Sequence, residues 1–98
     1  MKIDLKKEDK KLTIILEGKL DTNTSPELDS KINELDDMEE VVIDMKKLDY
    51  ISSAGLRVLL SMQKIMNKQG KMTITNVCDN VMDIFEVTGF SDILDIEK

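Results

Sequence analysis

The chain opens on an alternating pattern. In KIDLKK, Ile3 and Leu5 fall on one side and charges on the other, which predicts an edge strand over 2–7. EDKK reads as a turn, and LTIILEG (12–18) as a buried strand rich in β-branched residues, so the two make a hairpin. The period then changes. In DTNTSPELDSKINELDD, Leu28, Ile32 and Leu35 stand four and three apart, as on one face of a helix. Thr24 or Ser25 suits its N-cap, Pro26 its first turn and Glu27 its positive end, and it is expected to end near 36–38. EVVIDM (40–45) is a contiguous apolar run that suits a strand covered on both faces, after which KKLDY carries the chain over the sheet end. From Ala54 to about Gln69, Arg57, Ser61, Lys64 and Lys68 form a polar stripe, with Val58, Leu59, Met62, Ile65 and Met66 opposite and Gly70 as the stop. KMTITNV (71–77) reads as a strand. DNVMDIFEVTG (79–89) reads as a helix capped by Asp79 or Asn80, with Val81, Ile84 and Phe85 inward and Gly89 ending it. A short last strand is expected over 93–96.

The order is β-β-α-β-α-β-α-β in a single domain spanning 1–98. Strands alternating with helices after a hairpin predict an α/β fold, a mixed β-sheet with helices packed on it. Sites in such sheets lie beyond the strand carboxyl ends. Two segments fall there: LDTN, with Asp21 and Asn23, and YISSAGLRVLL, where Ser52 and Ser53 separate a strand from a helix.

Composition narrows the chemistry. The net charge is −6, which argues against a nucleic-acid or anionic-membrane surface. No histidine is present, so a Ser-His-Asp triad is impossible, and neither serine has the Gly two residues before it that a nucleophile elbow needs. No metal-ligand cluster and no phosphate-binding loop stand out, so no catalytic residue, metal or cofactor is expected. The one cysteine, Cys78, cannot form an internal disulfide and reads as a small buried or half-buried filler of a reducing compartment. Aromatics are 3% of the chain, leaving aliphatic side chains and seven methionines to fill the core. No apolar run approaches the ~18 residues of a membrane span.

Two uses remain open for Ser52 and Ser53. A serine at a helix start caps it, because its hydroxyl accepts a bond from a free N–H of the first turn. A phosphoserine there, carrying about −1.5 to −2 charges, is received by the same N–H groups and turns a neutral surface anionic. Asp21 and Asn23 likewise suit turn and capping chemistry. If the two loops are neighbours, Asp21 stands close enough to orient a hydroxyl, or to receive a metal or a partner's cation during phosphate transfer.

LDYISSAGLRVLL resembles the signature of the STAS domain (sulphate transporter and anti-sigma factor antagonist). GKLDTNTSPEL is similar to that family's G-x-L-D segment and following helix, and DNVMDIFEVTGFSDIL to its last helix and closing strand. The resemblance implies an anti-sigma factor antagonist, a cytoplasmic partner-switching protein. Unphosphorylated, it binds an anti-sigma factor that is also a serine kinase holding ATP. Phosphorylation releases it, and a PP2C-type phosphatase resets it. The family pattern is Asp-Ser-Ser/Thr-Gly-Leu. Aligned on Gly55 and Leu56, it places Ser53 at the phosphoserine, with Ser52 the runner-up in the position of the Asp. The implied partner-binding residues are Asp21, Asn23, Ser52, Ser53, Gly55, Leu56, Arg57 and Leu60. No direct membrane contact is expected, and the free protein is expected to be a monomer. Some stand-alone relatives serve as small subunits of ABC-type lipid transporters, so a constitutive binding module is the alternative.

Overall fold

The computed structural model describes residues 1–97. Four strands form one sheet in the order β1-β2-β3-β4. They are β1 (Lys2–Glu8), β2 (Lys11–Leu20), β3 (Glu40–Ile51) and β4 (Lys71–Thr75). β1 runs antiparallel to β2, while β2, β3 and β4 are mutually parallel, as a hairpin followed by two crossovers requires. Three α-helices, α1 (Ser25–Asp29), α2 (Ser53–Asn67) and α3 (Asp79–Thr88), fill the connections, with 3-10 turns at Ile32–Leu35 and Phe90–Asp92.

Paired residues of neighbouring strands share a face. The rows Leu5–Ile14–Ile43–Ile74 and Leu12–Val41–Met72 therefore form one apolar surface, and α2 and α3 pack on it. Phe85 of α3 and Leu59 of α2 are fully buried there. On the opposite face, Thr13, Ile15, Val42 and Asp44 are half-exposed. The expectation that EVVIDM is covered on both faces is thus corrected: burial alternates along it, and Val42 lies on the open side.

β3 also runs six residues beyond Met45, so KKLDY is strand rather than connection. Its register against β2 slips between Ile15 and Glu17 and again between Gly18 and Lys19. At each slip β3 advances one residue more than β2, the signature of a β-bulge. The bulges leave Lys46 and Lys47, then Asp49 and Tyr50, exposed in succession, which hides the strand from an alternation reading. The first helix is shorter than expected. α1 stops after Asp29, Lys31 N–H donates to the Leu28 carbonyl, and the chain continues as a 3-10 turn. The face it presents is nevertheless the one expected, with Leu28 and Leu35 buried.

Two helix ends differ from expectation. α2 stops at Asn67, and Gly70 does not have positive φ. It is small because a Cβ there would run into the backbone of Glu39, with the carbonyl carbon 2.7 Å away. α3 is preceded by Cys78, not capped by Asp79 or Asn80. Asn80 Nδ2 instead donates to the Asp49 carbonyl at 2.9 Å, tying the helix start to the end of β3. Gly89 ends α3 in the left-handed conformation, φ 81°, as expected. The expected strand over 93–96 is reduced to one bridge, in which Ile74 N–H donates to Asp95 and Glu97 N–H donates to Ile74.

Candidate functional site

Leu20 ends β2 and Ile51 ends β3, and the two are paired across the sheet. The loops that follow are therefore neighbours. Ser52 N–H donates to the Leu20 carbonyl at 2.9 Å and locks the start of α2 to the end of β2. The approach is close enough to require glycine one turn in. A Cβ on Gly55 would lie 2.7 Å from Leu20 Cγ, 2.9 Å from Ile51 Cγ1 and 2.9 Å from the Leu20 carbonyl oxygen.

The two serines have different environments. Ser53 is exposed at the first position of α2. Ser52 is the N-cap residue, yet its hydroxyl makes no capping bond; its Oγ is buried without a hydrogen-bond partner. The capping expected of a serine here is not performed by either side chain, and the helix start depends on backbone bonds, including Leu56 N–H to Ser52 at 3.0 Å.

Asp21 closes its own loop. One carboxylate oxygen accepts the N–H groups of Asn23 at 2.9 Å and Thr24 at 3.0 Å. Thr24 Oγ1 accepts the Asp21 N–H and donates to the Lys19 carbonyl, and the Ser25 hydroxyl donates to the Asp21 carbonyl. The Thr24 N–H above all, then the Thr24 hydroxyl, the Asn23 N–H and the Lys19 charge, hold the carboxyl below its ordinary value of 3.8, against an opposing effect of burial. Among the described residues no hydrogen bond joins Asp21 to Ser52 or Ser53, so the carboxylate shapes the loop beside the serines without touching them.

Between this loop and α2 lies an open cleft of about 330 Å³, lined by Thr22, Ser25, Pro26 and Asp29 on one side and Ala54, Arg57, Val58 and Ser61 on the other. Arg57 is exposed and takes part in neither of the ion pairs found among the described residues, Lys7–Glu34 and Lys47–Glu17. Asn23 is exposed, Leu60 half-buried, and Gly55 and Leu56 buried. The last two shape the helix start from beneath. Of the cleft walls, Arg57 is the one that the sequence offers as a partner-binding residue; that the 22–29 segment faces it is not legible there, and the signal on the helix side is the spacing of Ala54, Arg57, Val58 and Ser61, three and four apart.

The geometry defines a small mixed-sheet α/β domain that presents a free serine hydroxyl at a helix start, beside a rigid loop and an open cleft. Among the described residues no group of three or more His, Cys, Asp or Glu side chains is placed to hold a metal, and no helix is long and apolar enough to cross a membrane.

Comparison with known proteins gives this architecture a family. The model of the STAS domain matches residues 2–98, and the chain belongs to that family. A relative in Bordetella bronchiseptica, the putative anti-sigma factor antagonist BtrV, is 34% identical over 98% of this chain and 85% of its own length. The anti-sigma-B factor antagonist of Bacillus subtilis is 28% identical over 96% of this chain and 88% of its own. Among solved structures, the Bacillus cell fate determinant SpoIIAA in its phosphorylated form superposes with a TM-score of 0.75 at 16% identity, covering 99% of this chain and 92% of that one. At that identity the likeness is one of fold.

Proposed function

We propose that the protein is an anti-sigma factor antagonist whose docking to an anti-sigma factor kinase is switched by phosphorylation of Ser53. The observation that carries this reading is the contrast between the serines. Ser53 offers its hydroxyl to solvent at the first position of α2, whereas the Ser52 hydroxyl is buried. Relatives named as anti-sigma factor antagonists over nearly the whole chain support the choice of partner. In the switch, the kinase brings ATP. A bond forms between Ser53 Oγ and the γ-phosphorus, the bond from that phosphorus to the β-phosphate oxygen breaks, the hydroxyl proton is released and ADP leaves. A PP2C-type phosphatase returns the serine by hydrolysis. The antagonist is substrate and binding module, acting in the cytoplasm.

The docking surface comprises the Asp21–Asn23 loop, Ser53, Arg57 and Leu60, set in place by Gly55 and Leu56 beneath. Unmodified, position 53 on this surface is a neutral hydroxyl that a partner can desolvate, flanked by the Arg57 guanidinium and the Asp21 loop. A phosphate at its centre adds about −1.5 to −2 charges that a tightly docked partner cannot accommodate without a cation of its own.

The test is intact-mass analysis and phosphosite mapping after incubation with the anti-sigma factor kinase of the same cell and ATP. One phosphate, on Ser53, is expected. Ser53→Ala should bind the kinase and resist modification, and Ser53→Asp should bind weakly. If Ser53→Asp binds as well as the wild type, the switch is refuted. A tight complex with no phosphate would instead mean a constitutive interface with that kinase, and neither phosphate nor binding would favour a module of a transporter complex, the reading in keeping with Ser52 at the position of the family's Asp.

A further inference from the structure

Arg57 is the only arginine in the sequence. It stands four residues after Ser53 on the same helix, exposed, and outside both ion pairs of the described residues. Residues four apart on a helix are neighbours, about 5–6 Å between Cβ atoms. Helical side chains lean toward the N-terminus, so the surface over residue 53 is within reach of the side chain at 57 and not of one placed before it. The charge order is also the favourable one, with the anion N-terminal to the cation. Guanidinium binds phosphate oxygens through two parallel N–H bonds, which a lysine cannot do.

We infer that Arg57 is an intramolecular clamp for the phosphate on Ser53. This rests on Ser53 being the acceptor, as proposed above. Clamping fixes the phosphate against the first turn of α2. It also occupies the N–H donors of the cleft's one guanidinium, so modification adds an anion and takes from the docking surface the group that an acidic partner residue would meet. Asp29 lines the same cleft but makes no ion pair with Arg57, so the guanidinium is not already committed. Arg57 is a positioning residue, and its substitution on an exposed helix face leaves the core intact.

The experiment uses the full chain with phosphoserine incorporated at position 53 during synthesis, which needs no kinase. The phosphate is titrated by phosphorus NMR. A phosphoserine ionises for the second time near pH ~6. With Arg57 present the midpoint should fall about half a unit below that of Arg57→Gln, and Arg57→Lys should recover part of the shift. Because there is one arginine, its Nε–H gives a single cross-peak, which should move on phosphorylation and move part of the way back as the phosphate dianion takes up a proton. Coincident titrations in the wild type and Arg57→Gln, with an unmoved Nε–H peak, would overturn the clamp. Failure of the wider reading looks different: the kinase leaves Ser53 unmodified, or binds the phosphoserine protein as tightly as the unmodified one, while the titration shift persists.

Discussion

Replacing Gly55 by alanine tests whether the serine is positioned by a close approach of α2 to the end of β2. Two effects oppose each other. Alanine favours helix over glycine by at most about 1 kcal/mol, and less in a first turn, where the backbone is only partly helical. Against this, the new methyl would lie within 3 Å of three atoms: Leu20 Cγ, Ile51 Cγ1 and the Leu20 carbonyl oxygen. Leu20 is 0% and Ile51 1% exposed, so neither side chain has solvent to move into. The carbonyl is fixed by the Ser52 N–H at 2.9 Å. Relief must come from moving the first turn of α2 outward, and overpacking of this kind costs about 1–3 kcal/mol. The cost exceeds the gain, leaving a net loss of about 1–2 kcal/mol. For a domain of this size, that lowers the melting temperature by roughly 5–15 °C.

The assay is thermal unfolding followed by circular dichroism, with Gly55→Val as a second step that should fall further. Phosphorylation of Ser53 by the kinase should slow in parallel, because the hydroxyl rides on the displaced turn. Gly55→Ala melting at or above the wild type would refute the reasoning, since helix propensity would then have outweighed a contact that the geometry makes unavoidable.

Gly70→Ala should lose more than Gly55→Ala, because the three atoms nearest its methyl all belong to the Glu39 backbone, which cannot give way as a side chain can, and the 3.0 Å bond from Lys71 N–H to the Glu39 carbonyl is jeopardised; equal melting temperatures would contradict this ordering. Ser52→Ala should leave chemical-denaturation midpoints unchanged or slightly raised, as it removes a buried hydroxyl without a partner, whereas loss of a working cap would cost about 1 kcal/mol. The carboxyl of Asp21 is held below 3.8, so its contribution to stability is fully present above that pH and is lost as pH falls through the lower folded-state value. Melting temperatures of the wild type and Asp21→Asn should therefore differ at pH ~6 and converge in acid; curves that stay parallel throughout would exclude it.

The elements legible in the sequence are those in which one period runs uninterrupted. α2 presents Val58, Leu59, Met62 and Met66 to the core as its 3.6-residue period requires, and α3 presents Val81 and Phe85. The hairpin shows through because Ile3 and Leu5 alternate cleanly against charge. Where the backbone changes its own rule, the pattern fails. Two bulges break the alternation of β3, so KKLDY near its end reads as a connection. α1 gives way to a 3-10 turn that keeps Leu28 and Leu35 on one side, so one continuous helix was read from two short pieces. The run Val41–Val42–Ile43 suggested burial on both faces, because β-branched residues favour strands whichever way they point.

The site divides along the same line. That Asp21 and the serines each lie at a strand's carboxyl end is legible in the sequence, but that the two ends are adjacent is given by the pairing of Leu20 with Ile51. What each hydroxyl does there does not follow from residue type. A serine before a helix is a good cap in general, but here the bond from Ser52 N–H to Leu20 draws the chain inward and turns the side chain into the interior, where it finds no partner. The close approach that makes glycine necessary at position 55 is thus the same one that buries Ser52 and leaves Ser53 as the hydroxyl in solvent. In the proposed switch the packing of α2 on the end of β2 selects between the two serines, and a substitution that loosens that packing should blur the selection. In Gly55→Val, modification should spread from Ser53 to Ser52, a result that phosphosite mapping reads directly; modification confined to Ser53 in that variant would show that the kinase, rather than the fold, selects the residue.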